Sequence, residues 1–210
     1  MKNMVQITHN KENFEKISSI LDAAQKRFGL YGLEKTTMNE IASDINMSKG
    51  SIYYYFPDKE QLYKTIIEKE HDEFLLKVHE HINSITDPSL MLREYVKVNL
   101  QFFRIFLNLS RVRLNEIKGL NPFMKEIITT QRTKEKAILI NIFEKGNERG
   151  YFKILNLEEI SDLFLDLLRG LRRMIVGKKE VFYLEEEEYN EMVRKVNLFT
   201  EIFINGLKNY

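Results

Sequence analysis

Between positions 48 and 56 the chain reads Ser-Lys-Gly-Ser-Ile-Tyr-Tyr-Tyr-Phe, a short stretch dense in hydroxyls and phenols with one ammonium. Set on a helix, Ile52, Tyr55 and Phe56 fall on one side and leave Ser48, Lys49, Ser51, Tyr53 and Tyr54 on the other. Exposing two large rings beside a lysine, two hydroxyls and a glycine is costly for an idle surface. It suits contact with a nucleic acid: serine and tyrosine donate to phosphate oxygens, lysine adds charge, and ring faces pack on thymine methyl groups. Gly50 lets the backbone approach closely.

Other chemistries lack their residues. There are no cysteines among the 210 residues, which removes thiol nucleophiles, thiolate zinc sites and disulfides together. The sequence has no Gly-x-Ser-x-Gly elbow, no phosphate loop, no dinucleotide fingerprint and no His-Glu-x-x-His helix, so no catalytic residue, cofactor or enzyme activity is expected. His71, His79 and His81 lie among Glu70, Asp72, Glu73 and Glu80, an arrangement that invites a metal. On a helix, however, His79 and His81 point about 200° apart and His71 lacks the i, i+4 partner of a helical chelate, so solvated histidines and no metal are expected.

Hydrophobic residues make up 43% and charged residues 30%, the balance of a chain that buries a real core. No signal-peptide pattern and no run of eighteen apolar residues occurs, and a cytoplasmic location is expected. Breakers are sparse, with three prolines and nine glycines, and the spacing predicts an all-α protein of about nine helices. Phe14, Ile17, Leu21, Ala24 and Phe28 mark a first helix ending near Gly29–Gly32. Thr37-x-x-Glu40 is a capping box opening a short second helix at about Met38, and Asn46-Met47-Ser48 interrupts it. Ser48 caps a third helix to about Phe56, and Pro57, Asp58 and Gln61 stop it and open a long fourth. Further helices are expected at about 88–106, 109–118, 122–150, 157–177 and 186–208, the last beginning on an acidic run, Glu185 to Glu188, that its dipole favours. Two short helices joined by a tight turn behind a bracing helix can lay one helix in the major groove, although periodicity alone equally fits a plain bundle.

Residues from about 14 to 62 resemble the DNA-binding segment of the TetR family. The resemblance rests on Ile20-Leu21-Asp22-Ala23-Ala24 through Phe28 and Gly32, then Thr36-Thr37, Ile41-Ala42, Ser48 through Phe56, Lys59-Glu60 and Leu62. It implies a ligand-responsive regulator with a helix-turn-helix domain over 1–57 and an effector-binding and dimerisation domain over 58–210. It further implies that Thr37 contacts a phosphate and that Lys59 grips the DNA backbone. Ser48, Lys49, Gly50, Ser51, Tyr53 and Tyr54 would approach the groove. The expected partners are operator double-stranded DNA, a second copy and a small apolar or amphipathic effector that releases the DNA. Residues 1–60 hold eight Lys/Arg and eight Asp/Glu, so the salt dependence of binding should be shallow.

Beyond residue 58, Phe74, Met91, Phe102, Phe103 and Phe106, with Phe123, Met124 and Phe143, are candidates for an adaptable apolar pocket. Arg104, Arg111 and Arg113 could meet an anionic headgroup. The apolar bands of the last two helices are too wide for one packed face, which points to Leu163, Leu167, Leu171, Met192, Val196, Phe199 and Phe203 as a dimer interface. A helical dimeric adaptor that binds no DNA is the competing reading; it accounts for those bands and not for the exposed tyrosines.

Overall fold

The computed structural model describes residues 2–110, 122–176 and 185–208, with side chains over 12–104, 125–174 and 185–208. Among these residues the chain is helical: α1 (Lys2–Tyr31), α2 (Met38–Asp44), α3 (Lys49–Tyr55), α4 (Lys59–Ile82), α5 (Pro88–Ser110), α6 (Pro122–Glu148), α7 (Leu157–Val176) and α8 (Glu186–Leu207). The only β pairing described is an isolated bridge, Phe152 with Lys208. The short helix expected over about 109–118 lies outside the described residues from position 111 onward, as do Arg111 and Arg113. No described helix is long and apolar enough to cross a membrane.

The chain forms two compact units whose boundary falls within α4, between Glu70 and His71. The first unit extends past Pro57 because the start of α4 supplies part of its core: Leu62, Tyr63 and Ile66 are buried, and the Tyr63 ring meets Phe28 edge-on at 5.4 Å. With Ile20, Ala24, Ile41 and Ile52 they form one apolar centre. At about 1.5–3 kcal/mol for each large side chain withdrawn from water, this centre holds the two short helices that could not stand alone.

Local chemistry sets the ends. Gly32, with φ of 82°, donates its N–H to the Phe28 carbonyl and closes α1. Between α2 and α3, Asn46 takes a left-handed conformation with φ of 54°, one that asparagine tolerates better than most residues. The Met47 N–H then returns to the Ala42 carbonyl at 2.8 Å. The Gln61 N–H bonds the Asp58 carboxylate at 2.6 Å at the start of α4, and Glu185 with Glu188 forms a capping box at the start of α8.

In the second unit, α6 and α7 pack together and are laced by Arg132 to Asp162 and Asp166, and by Lys136 to Asp162 and Glu158. Phe143, Phe164, Phe199 and Phe203 form an aromatic cluster from α6, α7 and α8, with Phe164 and Phe203 centroids 4.9 Å apart.

Candidate nucleic-acid interface

α3 owes its position to two anchors, Ile52 and Phe56, both buried one helical turn apart. Tyr55 is half-buried and its hydroxyl donates to Asn13 Oδ1 at 3.2 Å, tying α3 to α1. With those residues turned inward, Ser48, Lys49, Gly50, Ser51, Tyr53 and Tyr54 are all exposed, Tyr54 at 80%. The Ser51 N–H donates to Ser48 Oγ at 3.1 Å, and the two hydroxyls share a 2.8 Å hydrogen bond. The Lys49 ammonium lies over the Tyr53 ring at 5.9 Å, and the Tyr54 ring meets Tyr55 edge-on. The six residues expected at the groove therefore share one solvent-facing surface.

The two residues expected at phosphates are used differently. Thr37 is exposed and caps α2: its Oγ1 accepts the Glu40 N–H at 3.3 Å, while its own N–H and hydroxyl both donate to Glu40 Oε2, at 2.9 and 2.8 Å. Those hydrogen bonds, with Arg27 nearby, hold the Glu40 carboxyl below its usual pKa. The Thr37 proton is thus committed to a carboxylate. The Lys59 ammonium donates to three backbone carbonyls, Leu33 at 2.9 Å, Glu34 at 3.0 Å and Thr36 at 3.3 Å, and so staples the turn between α1 and α2. In this conformation no ammonium proton of Lys59 is left for a phosphate.

The sequence reading missed Arg27. Its guanidinium bonds Asp44 through Nε at 2.5 Å and Nη2 at 2.9 Å and pairs with Glu40 at 3.4 Å, so α1 grips both ends of α2. The hydrogen bond from Arg27 holds the Asp44 carboxyl below its usual pKa. Nothing in the sequence marks residues seventeen apart on different helices as partners.

The pocket candidates divide. Phe74 and Met91 are buried, and Phe74 stacks on the half-buried Phe102 at 4.9 Å. Phe103 is half-buried, whereas Phe143 belongs to the α6–α8 aromatic cluster, and Phe106, Phe123 and Met124 lie outside the described side chains. Arg104, offered for an anionic headgroup, is occupied by Glu186 at 2.5 Å and by the Tyr189 ring. His79 and His81 are exposed as expected, but His71 is buried at 2% beside Glu135, a correction to its reading as a solvated residue. It occupies the Phe74/Val78 stripe of α4, which faces inward. Among the described residues no group of acidic and histidine side chains could hold a metal ion.

The interface candidates also divide. Met192 and Val196 are fully buried within the single chain, in the stripe that continues through Thr200 and Ile204, so they cannot gain burial from a partner. Phe199 and Phe203 are half-buried against Phe164, and Leu171 is half-buried. Leu163 and Leu167 are exposed, together with Met174 of the same apolar band and with Leu198 and Ile202, which were not among the expected interface residues.

Two short helices set across a tight turn, the second presenting only polar and aromatic groups to solvent, define a helix-turn-helix transcriptional regulator. Residues 20–66 match the family described as bacterial regulatory proteins, tetR family. A transcriptional regulator from Cytophaga hutchinsonii has a crystal structure 36% identical, with a TM-score of 0.82, covering 92% of this chain and 99% of that one. The HTH-type transcriptional regulator QacR of Staphylococcus aureus is 25% identical over 190 residues, 90% of this chain and 96% of its own length. The probable acrEF/envCD operon repressor of Escherichia coli is 32% identical over 84 residues, 40% of this chain and 38% of that protein. The chain belongs to the TetR family and is a DNA-binding transcriptional regulator, as the resemblance implied.

Proposed function

We propose that the chain is a cytoplasmic homodimeric repressor, with no enzymatic role, that leaves its operator when a small amphipathic effector binds among α4 to α7. The observation that carries the DNA-binding half is the outward face of α3, where Lys49, Ser51, Tyr53 and Tyr54 are exposed while Ile52 and Phe56 hold the helix from behind. Lys49 and the hydroxyls of Ser48 and Ser51 meet phosphates, and the two tyrosines reach base edges or thymine methyls. Repression is supported by the likeness to the probable acrEF/envCD operon repressor of Escherichia coli.

Leu163, Leu167, Leu198 and Ile202 pack against the same residues of a second copy about a two-fold axis. That places two recognition helices on half-sites roughly 34 Å apart. α4 begins three residues after Phe56, which closes the recognition helix, and continues into the unit that would bind the effector. A shift of α4 changes the spacing of the recognition helices, and an effector acts only by preferring one spacing over the other. About 1–3 kcal/mol of such coupling gives roughly 5- to 150-fold release.

The operator can be selected from random duplex DNA with the purified protein. Lys49→Ala and Tyr54→Ala should each weaken its binding by about 1–3 kcal/mol, in fluorescence anisotropy, with the dimer intact on gel filtration. Unchanged binding by both variants would favour the adaptor reading.

A further inference from the structure

The unit that begins at His71 carries polar residues where its helices bury their apolar stripes. His71 precedes Phe74 and Val78 on α4, Tyr95 and Asn99 follow Leu92 and Val96 on α5, Glu135 precedes Ile138 and Leu139 on α6, and Arg172 follows Leu165 and Leu168 on α7. His71, Tyr95, Asn99 and Glu135 are buried. Glu135 Oε2 accepts from the Tyr95 hydroxyl at 2.7 Å and from Asn99 Nδ2 at 3.1 Å. Its Oε1 lies 3.5 Å from His71 Nε2 and 3.9 Å from Arg169 Nη2. Arg172 Nη1 donates to Asn99 Oδ1 at 2.7 Å, and the guanidinium covers the Phe103 ring at 4.6 Å.

The cluster has one carboxylate and two guanidinium groups. Burial pushes the Glu135 pKa up, but His71, Arg172 and Tyr95 more than offset it, so Glu135 is held below the usual range and stays ionised. Burial, with the Glu135 charge beside it, pushes the Tyr95 phenol well up, so it stays a neutral donor. The balance is a surplus of positive charge around a carboxylate whose Oε2 already accepts two hydrogen bonds. Four polar side-chain atoms in this unit are sealed from water with no hydrogen-bond partner: His71 Nε2, Ser161 Oγ, Arg172 Nε and, one helical turn before Glu135 on the same face of α6, Gln131 Nε2. A guanidinium Nε can only donate, so what is absent is an acceptor. Buried donors are costly to leave unmatched.

We propose that the effector is an anionic amphiphile, a carboxylate on an apolar body, whose headgroup accepts hydrogen bonds from Arg172 and Gln131 and whose body lies along Phe102. This rests on the reading of the unit as the effector-binding one. A cationic headgroup would meet two guanidinium groups, with Glu135 Oε2 already accepting from Tyr95 and Asn99. A neutral alcohol would leave the surplus charge uncompensated. The half-buried Phe102, stacked on Phe74, offers the apolar body a rigid wall.

The test is calorimetric titration of the full-length protein with three twelve-carbon probes below their micellar concentrations: dodecanoate, dodecyltrimethylammonium and dodecanol. Dodecanoate should bind at least about tenfold more tightly than either of the others, the scale of one charge-assisted hydrogen bond. Arg172→Gln should lose that preference while keeping dodecanol binding. Equal or tighter binding of the ammonium or the alcohol overturns the proposal, as does failure of all three to bind. So does an unchanged dodecanoate affinity in a folded Arg172→Gln protein. If that variant does not fold, the headgroup series on the wild-type protein decides alone. Titration reads the headgroup without DNA, so an operator that is bound and then released only by a cation refutes this proposal and leaves the regulator standing. Failure to bind any duplex refutes the regulator instead.

Discussion

Lys59 shows how a cation beside a DNA-reading surface can serve the protein before it serves the DNA. A lysine that grips phosphate adds to the counterions released on binding, whereas one spent on three backbone carbonyls holds a turn. The two roles separate experimentally. Lys59→Gln should lower the thermal stability of the protein and leave the slope of log affinity against log salt unchanged. If the ammonium instead turns to a phosphate in the complex, the slope should fall by about 1. Arg27 is likewise engaged by Asp44 and Glu40, which leaves Lys49 as the cation on the outward face of α3. On the proposed reading, recognition would then depend on hydroxyls and phenols, whose contribution salt screens little.

At the scale of elements, single contacts decide how helices end and which faces remain outside. Gly146, in the last turn of α6, accepts the N–H groups of Tyr151 and Phe152, so the chain doubles back and lays the Phe152 ring on the glycine. A Cβ there would sit 1.9 Å from Phe152 Cδ2, and the ring is itself packed on Phe143. Gly146→Ala should therefore destabilise the protein by about 1–3 kcal/mol in urea unfolding, although alanine is the better helix former. On α8 the stripe Met192, Val196, Thr200 and Ile204 faces inward, and Leu198 and Ile202 face out. The double variant Leu198→Glu with Ile202→Glu should yield a folded monomer in analytical ultracentrifugation with operator affinity sharply reduced, because one recognition helix cannot span two half-sites. A dimer that survives both glutamates would remove this face from the interface.

For the molecule as a whole, the described carboxylates with clear shifts all move the same way. Glu40, Asp44, Glu94, Glu135, Asp162 and Glu201 are held below their ordinary values by hydrogen bonds and nearby cations, in Glu135 against the opposing effect of burial. A carboxylate with a lowered native pKa contributes stability that is complete above its unfolded value and is lost as pH falls through the native one. The urea midpoint should therefore be flat near neutrality and decline below about pH 5. Glu135→Gln should lower the midpoint at pH 7, since it leaves Arg172 without its counter-charge, and make the acid decline shallower. An acid limb as steep as that of the wild type would mean that the surface pairs, rather than the buried cluster, carry the effect.

The sequence by itself determined the ends of α2, α3 and the start of α4, because capping boxes and breakers act over a few residues: Thr37 with Glu40, Ser48, Pro57 and Asp58 each lie beside the boundary they set, whereas the start of α1 at Lys2, ahead of the stripe that begins at Phe14, carries no such signal. It also determined the outward face of α3, since Ile52 and Phe56 are the apolar pair one turn apart that a short helix can bury. What the tertiary structure decided are the pairings between distant residues. Arg27 with Asp44 and the three carbonyls held by Lys59 have no local signature. Neither does the choice of Met192 and Val196 as core, because an apolar band wide enough for two faces does not say which one turns inward. The polar cluster around Glu135 left a trace, in polar residues interrupting four apolar stripes. Only packing brought those interruptions together, because a charge enters a core where others arrive to compensate it.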